Sequence, residues 1–352
     1  MPPSARGSKM KRTAHSLRPD ISTDPFREHL QNTRTLRLQI LGAQFQFEST
    51  SLELLILVAA AYSGLPRHRL TRPLTKMRVR LELASNLRTG TRDAPPPLKL
   101  LSGAGMLCGA TNGSNFVVLS PATRSALVLV PREMLEYPYH TRYELIEFAV
   151  FTLAQRVQRL VPLHAACIGH AGRGLLLMGG SGAGKSTLAL HSLLHGLDFV
   201  SEDSTFVTSD TLRATGVANF LHVRADSLDC LERGADAASI RKSPIIRRRS
   251  GITKFEFDLR PTRYRLAAAP LKLRALIFLS KDKTASRPLL APLPRSRLMR
   301  YLTASQPYAA SLPEWRQFKE RAATLRAFEL QRGKHPREAV SELQALVGMR
   351  GR

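Results

Sequence analysis

The chain has 352 residues, and 43% of them are hydrophobic, which is enough for a packed core in one large or two modest domains. This composition excludes a protein that is disordered throughout. The formal net charge of +26 predicts attraction to anions of every kind. Much of this charge is arginine scattered along the chain, which a GC-rich genome also produces, so charge alone defines no partner.

The first residues and the cysteines indicate a cytoplasmic protein. Residues 1–24 are basic and lack the apolar core of a secretory signal, so we predict a flexible basic arm. The apolar run Leu52–Leu65 contains a glutamate and is too short to span a membrane, so we interpret it as a buried helix. Cys108, Cys167 and Cys230 lie far apart and are odd in number, which argues for a reducing compartment without disulfides.

Residues 25–155 are predicted to form a small α+β module that takes part in substrate recognition. Thr35–Leu41 and Ala43–Phe47 alternate in polarity around Gly42, a pattern typical of two short strands. No catalytic set is recognisable in this module. Its other predicted elements are a helix at Ser51–Tyr62, a hairpin that turns at Asn112-Gly113, a strand at Ser125–Val130 and an amphipathic helix at Tyr143–Arg159.

A catalytic domain is predicted over residues 156–352, and it begins with two strands. The apolar runs Val161–Ile168 and Gly174–Met178 are separated by a glycine-containing turn, so we expect an antiparallel hairpin. In that pairing His164 faces Met178, which brings the imidazole to the mouth of the following loop. It could contact phosphate or hydrogen-bond an acid there; the structural alternative is a strand-end histidine that bonds only to the backbone.

The next segment, Gly179–Ser186, matches the phosphate-binding pattern G-x-x-x-x-G-K-[ST] and is called the P-loop below. It lies between an apolar strand and a predicted helix at Ser186–His195. Glycines let the backbone curl so that its N–H groups point at phosphate oxygens, and the helix N-terminus adds its positive end. We predict that Lys185 binds the β- and γ-phosphates of ATP and that the Ser186 hydroxyl ligates Mg²⁺. The predicted nucleotide-binding residues are Gly179, Gly180, Ser181, Gly182, Ala183, Gly184, Lys185, Ser186 and Thr187.

Two acids follow the short predicted strand Asp198–Ser201. If that strand runs parallel to the P-loop strand, Glu202 and Asp203 lie beside the phosphates, where open α/β sheets bind ligands. Either acid could then bind Mg²⁺ or take the proton of an attacking hydroxyl, whereas a solvated acidic turn is the structural alternative. The predicted catalytic residues are His164, Lys185, Glu202 and Asp203, and the predicted metal ligands are Ser186, Glu202 and Asp203.

The rest of the chain carries one unusual stretch. Residues 241–254 are strongly basic, and flanking Ser-Pro and Ser-Gly pairs predict a mobile loop. Its arginines either stabilise a transferring phosphoryl group or grip an acidic substrate, or they form a solvated face. The other predicted elements are a strand at Thr205–Thr208, a strand at Lys272–Leu279 and helices at Glu314–Gln331 and Pro336–Val347.

The segment from about Pro162 to Phe206 resembles the HPr serine kinase/phosphorylase family, whose catalytic domain is related to phosphoenolpyruvate carboxykinase. In that family a histidine-containing strand precedes the P-loop, and a short strand after the helix ends in paired aspartates. The resemblance implies that His164 lies in the active site, that Ser186 binds Mg²⁺, and that Asp203 and Glu202 share metal binding and acid/base chemistry.

At two places the sequence departs from the motifs of this family. Glu202 stands where the family has an aspartate, and residues 231–236 form only a degenerate copy of its Arg-Gly-x-Gly signature. A reverse phosphorylase activity and HPr as the substrate therefore stay open. The chain looks more like the divergent HPr kinase-like proteins that are encoded with peptide-modification systems, which phosphorylate a serine of a precursor peptide, including lasso peptide precursors.

The predicted fold class is α/β, with a P-loop kinase core of the HPr kinase/carboxykinase type, an N-terminal α+β module and C-terminal helices. The predicted activity is ATP-dependent phosphorylation of a serine on a peptide or protein. One alternative is a small-molecule or carboxykinase-like phosphotransferase. Another is a nucleotide-gated regulator that binds nucleic acid, which we favour less because no helix-turn-helix or zinc-finger pattern is present. A homo-oligomer is compatible with the sequence.

Overall fold

The computed structural model describes residues 33–84, 95–111, 115–231, 234–284 and 288–349. The predicted basic arm and the turn Asn112-Gly113 lie outside these ranges. From Arg34 onward the described residues form one compact unit of mixed α/β structure with three β-sheets. None of its described helices has both the length and the apolar character needed to cross a membrane.

The first sheet is mixed and is built from the strands of the first 131 residues. In β2, Phe45 and Phe47 are fully buried and alternate with part-exposed residues, as expected for a strand with one face on a core. The strand order is β1-β2-β3-β7-β6-β5-β4, and β3 runs parallel to both β2 and β7. These strands are β1 (Arg34–Ile40), β2 (Ala43–Ser49), β3 (Thr75–Ala84), β4 (Lys99–Gly103), β5 (Met106–Ala110), β6 (Phe116–Ser120) and β7 (Ser125–Pro131). The predicted strand pair around Gly42 is confirmed, and so are the two strands of the predicted hairpin.

Helix α1 (Leu52–Tyr62) packs against β1 and β2. The Ser51 hydroxyl caps it by accepting a hydrogen bond from an N–H in the first turn. The expectation of a buried helix holds for only one face, because Leu52 and Ile56 on the other face are 47% and 55% exposed.

Helix α2 (Glu147–Gln158) packs on β3, β6 and β7. The sequence predicts one regular helix from Tyr143, but the chain enters α2 through a π-helical segment, His140–Ile146, which follows a 3-10 turn at Arg132–Glu136. The wider turn matters for the site, because it carries Arg142 and Tyr143.

The remaining strands form a large central sheet and a small third sheet. They are β8 (Leu160–His164), β9 (Ala166–His170), β10 (Arg173–Met178), β11 (Asp198–Ser201), β12 (Ser204–Thr208), β13 (Arg213–Gly216), β14 (Phe220–Val223), β15 (Ile245–Arg247), β16 (Thr253–Asp258), β17 (Leu271–Lys283), β18 (Leu290–Pro292) and β19 (Arg326–Arg332). The central sheet has the order β11-β9-β10-β17-β13-β12-β8, and β19 joins it parallel to β17. The third sheet has the order β14-β16-β15. Strands β10, β17 and β19 are parallel, so their carboxyl ends meet at one edge.

Helices cover both faces of the central sheet. One core lies between the sheet, α3 and α9, and another includes side chains of α6, α7 and α8. The helices are α3 (Lys185–Leu194), α4 (Ala225–Leu228), α5 (Ala235–Arg241), α6 (Arg295–Ser305), α7 (Pro307–Ala310), α8 (Trp315–Ala322) and α9 (Pro336–Leu346). The predictions of β10, α3, β11, β12, β17 and α9 are confirmed.

The predicted hairpin Val161–Ile168 with Gly174–Met178 is wrong in its first half. The run breaks at Ala165: β9 pairs with β10, whereas β8 pairs with β12 on the far side of the sheet. His164 therefore lies opposite Ser204 and not opposite Met178. Long-range pairing with β12 decides this, and a local apolar pattern does not contain that information.

Two later predictions are also wrong. The predicted helix Glu314–Gln331 ends at Ala322, and its second half is the strand β19, because that segment completes the parallel part of the sheet. Residues 241–254 are not a loop: they contain the end of α5 and the hairpin of β15 and β16, with the turn closed by a hydrogen bond from the Gly251 N–H to the Arg248 carbonyl.

Candidate active site

The P-loop connects β10 to α3, as its sequence pattern requires. Gly182 and Gly184 have φ angles of +75° and +99°, which L residues with side chains rarely adopt. Gly179 has both a positive φ and no space, because a Cβ atom there would lie 3.2 Å from the Leu279 carbonyl oxygen. The loop is thus built from backbone conformations that only its glycines supply without strain.

Lys185 begins α3 and turns its ammonium back into the loop. The residue is 8% exposed, and Nζ donates a hydrogen bond of 2.7 Å to the Gly179 carbonyl. Nζ is also 3.1 Å from His164 Nε2. Burial lowers the pKa of Lys185, and the nearby charges of Asp203 and Glu202 oppose that shift.

Ser186 and Glu202 are directly bonded, since the Ser186 hydroxyl donates to Glu202 Oε1 at 2.5 Å. The other carboxylate oxygen, Oε2, accepts a hydrogen bond from the backbone N–H of His222 at 2.8 Å, and Lys254 Nζ is 3.6 Å from Oε1. Burial by itself raises the pKa of Glu202, but hydrogen bonds from His222 and Ser186 and the Lys254 charge outweigh it. The net effect keeps the pKa below its usual value, so Glu202 is held as a carboxylate.

Asp203 is linked to the P-loop lysine through His164. Asp203 Oδ1 is 3.1 Å from His164 Nδ1, and Oδ2 is 3.6 Å from the Arg248 guanidinium. The pairing of β8 with β12 explains the contact, because it places His164 opposite the residue that follows Asp203. Burial opposes ionisation, but the His164 hydrogen bond and the charges of His164, Arg248 and Lys185 hold the pKa of Asp203 well below its usual range.

The two acids differ in access to solvent. The Asp203 side chain is 40% exposed and lines the cavity, whereas the Glu202 side chain is 5% exposed and bonded on both oxygens. An incoming hydroxyl can therefore reach Asp203 and not Glu202.

A polar network behind Glu202 was not predicted. His222 contacts Glu202 through Nδ1, and its Nε2 is 3.0 Å from the Tyr143 hydroxyl. Tyr143 and Arg142 both donate hydrogen bonds to Glu256. Burial lowers the pKa of His222, but hydrogen bonds to Glu202 and Glu256 raise it to a net value above the usual one. None of these four residues lies in a recognisable motif, so the sequence offered no signal for them.

A cavity of about 490 Å³ lies beside the P-loop. Its lining includes His164, Lys185, Ser186, Thr187 and Asp203, and the Thr187 hydroxyl is 2.9 Å from that of Ser227. Arg332 also lines the cavity and donates a 2.6 Å hydrogen bond to the Gly182 carbonyl of the P-loop. Arg332 was missed because the segment that precedes it was predicted to be a helix ending at Gln331, whereas it is the strand β19.

The oxygen donors here fit a magnesium ion completed by phosphate. Ser186 and Asp203 line the cavity and offer a hydroxyl and a carboxylate, and the enclosed Glu202 carboxylate lies behind Ser186 and accepts its hydroxyl hydrogen bond. Mg²⁺ typically takes one or two carboxylates plus substrate phosphates and water. Among the described residues no group of three or more His, Cys, Asp or Glu side chains could hold a metal by itself.

No protein-family model and no curated protein matches the chain. Among solved structures, the HPr(Ser) kinase/phosphatase from Coxiella burnetii is similar at 14% sequence identity, over 53% of this chain and 88% of that one, with a TM-score of 0.26. A similarity at this level establishes neither a shared fold nor a shared activity, so the function has to be argued from the side chains of the site.

Proposed function

We propose that the protein is an ATP-dependent kinase of the HPr kinase/carboxykinase type that transfers the γ-phosphoryl group to a serine hydroxyl of a peptide or protein. The proposal includes a cytoplasmic location and, from the sequence resemblance, a precursor peptide as the acceptor. The observation that carries it is a pair of contacts beside one cavity: the P-loop lysine reaches one ionised acid through His164, and the P-loop serine bonds directly to the other.

Each residue has a role that follows from its contacts. Lys185 neutralises charge on the β- and γ-phosphates. Asp203 accepts the proton of the serine hydroxyl. As it does so, the serine oxygen bonds to the γ-phosphorus and the bond between that phosphorus and the ADP oxygen breaks. A carboxylate of low pKa is a weak base, but phosphoryl transfer relies mainly on positioning and charge stabilisation, so a weak, well-placed base suffices. His164 contacts both Asp203 and Lys185 and so fixes the positions of their side chains relative to each other.

Ser186 and Glu202, with Asp203, are the residues that would hold Mg²⁺. When bound, the ion supplies charge neutralisation on the phosphates. The buried contacts from His222 and Lys254 keep Glu202 ionised and fixed in place for that task.

The test is a phosphorylation assay with Lys185→Ala. We expect transfer to a serine peptide to fall to background and ATP affinity to fall as well, because the loop loses its cation. Mass spectrometry of a serine peptide panel, run beside a panel of small hydroxylated metabolites, separates a peptide kinase from a small-molecule kinase.

Lys76→Ala is the matched control. It removes the same charge from an exposed position on β3, outside the cavity. Full turnover in Lys185→Ala, or phosphorylation of metabolites and of no peptide, would contradict the proposal.

A further inference from the structure

The surface that leads to Asp203 is an exposed basic strand. We define the basic edge as residues 241–247, which comprise the end of α5 and the strand β15. Arg241, Lys242 and Arg247 are exposed, and Ile245 between them is 66% exposed. Ile246 alone in β15 is buried, so the strand is fixed by one side chain and presents the others to solvent.

The cations of this segment divide into two sets. Arg248 and Lys254 contact Asp203 and Glu202, and Arg249 is bonded to Glu144 and to the carbonyls of two prolines. These contacts hold the hairpin in place.

The cations of the basic edge are different. Arg241, Lys242 and Arg247 have no acidic partner within the described part of the chain. Charges of one sign that are fixed beside a site and left unneutralised favour a partner of opposite charge.

The basic edge runs directly into the site. Arg247 is followed by Arg248, whose guanidinium is 3.6 Å from Asp203, and Ser250 and Ile252 of the same hairpin line the cavity. A chain lying along β15 would therefore have its next residues at the cavity mouth, where the acceptor hydroxyl is required.

The backbone of β15 favours a polypeptide over other anions. Among the described residues β15 pairs only with β16, so one side of the strand offers unpaired N–H and C=O groups. An extended peptide can pair with such an edge, and a nucleic acid cannot. A second copy of the same edge is disfavoured, because antiparallel pairing would bring arginines of two chains together.

We propose that an acidic, extended segment of the acceptor polypeptide docks along the basic edge by strand addition to β15. Its carboxylates pair with Arg241, Lys242 and Arg247, and an apolar side chain contacts Ile245. This inference rests on the proposed kinase function and adds a substrate class to it: a serine beside an acidic segment.

The test uses the full chain and two labelled 15-residue peptides with one serine each, one flanked by glutamates and one by glutamines. We expect the glutamate peptide to bind at least about fivefold more tightly by fluorescence anisotropy and to show a correspondingly lower KM. Arg247→Glu should raise that KM by about tenfold and remove the preference, since it replaces attraction by repulsion.

Arg316→Glu on α8 is the matched control, because it makes the same charge change at an exposed position away from the cavity. It should preserve the preference. Equal KM values for the two peptides, or equal effects of Arg247→Glu and Arg316→Glu, would overturn the docking inference and leave the kinase function standing.

Two further outcomes separate the claims. Binding of the glutamate peptide that is lost in Arg247→Glu, with no peptide phosphorylated by the wild type, would support the docking surface and remove the kinase function. A 15-nucleotide single strand that displaces the peptide and binds more tightly in an Arg247-dependent way would overturn the inference in favour of nucleic acid.

Discussion

At the scale of single residues, the two neighbouring acids have separate environments. Glu202 is enclosed by Ser186, His222 and Lys254, whereas Asp203 faces the cavity and contacts His164. Both are held ionised, but by different partners. We therefore propose that the fixed carboxylate supports metal binding through Ser186 and that the accessible one accepts the proton.

Substitution of each acid tests that assignment. Asp203→Asn keeps the shape and loses the base, so we expect transfer to fall by roughly 100-fold or more while Mg²⁺-ATP affinity stays within a few-fold. Glu202→Gln should weaken Mg²⁺-ATP binding itself, because it removes the enclosed carboxylate. Calorimetry of nucleotide binding and a turnover assay measure both effects. An active Asp203→Asn with an inactive Glu202→Gln would reverse the roles, and two active variants would show that transfer requires neither acid.

Glu147 is a carboxyl of a different kind. The residue is partly exposed, but its carboxyl group is buried, and burial raises its pKa to about 8, helped by the negative charge of Asp203 and opposed by His222 and Arg142. It is therefore protonated at neutral pH. It is a neutral carboxyl group close to a site whose other acids are ionised.

A pH-dependent stability follows from Glu147. Between pH 4.5 and about 8 the unfolded chain loses a proton that the folded chain keeps, so stability falls as pH rises through that window. Glu147→Gln mimics the protonated acid and should remove this fall. Urea denaturation of both proteins at pH 5, 7 and 9 measures it. Parallel pH profiles for the two proteins would show that Glu147 is ionised in the fold.

At the scale of elements, local signals were sufficient where local structure decides. The strand β10, the P-loop and α3 are consecutive, and glycine spacing with apolar periodicity predicted all three. The condition set for Glu202 and Asp203 is also met, because β11, which precedes them, runs parallel to β10 with the antiparallel β9 between the two strands.

Long-range pairing decided the rest. His164 was expected at the site for the wrong reason, since the break at Ala165 depends on a strand forty residues later. The segment Arg326–Arg332 has a helical composition but becomes β19 because an open position beside β17 is available for a parallel strand. The basic stretch could not be distinguished from a loop without knowing that Arg249 anchors it to Glu144.

Strand β19 therefore brings an unpredicted arginine to the P-loop. Arg332 donates a hydrogen bond to the Gly182 carbonyl, so Arg332→Ala should loosen the P-loop and weaken ATP binding by about three- to tenfold, the effect of losing one hydrogen bond of typical net strength. Arg326→Ala at the other end of β19 is the control. ATP titration by calorimetry measures both variants. Equal ATP affinity in the two would show that the Arg332 bond is incidental.

At the scale of the whole molecule, residues before 156 contact the part of the chain that carries the candidate site. Arg142 and Tyr143 bond to Glu256, and Asn219 donates a 2.7 Å hydrogen bond to the Ala61 carbonyl. Phe206 of the central sheet belongs to the hydrophobic core of the first sheet. A separate domain that ends at residue 155 remains a prediction, and these contacts cross its boundary.

A truncation tests whether the two parts are separable. A chain of residues 156–352 would lose the Arg142 and Tyr143 hydrogen bonds to Glu256 and expose the apolar surface around Phe206. An uncovered core together with the loss of these hydrogen bonds destabilises a fold by several kcal/mol, on the order of its whole stability. We therefore expect no cooperative thermal unfolding and no ATP binding from this fragment.

The control is a chain of residues 33–352, which keeps every contact described above and should bind ATP as the full chain does. Circular dichroism melts and ATP calorimetry on both fragments decide the question. A folded 156–352 fragment with full ATP affinity would show that the contacts of Arg142, Tyr143 and Asn219 are dispensable. In that case the N-terminal residues would serve the acceptor alone, and the nucleotide site would be complete without them.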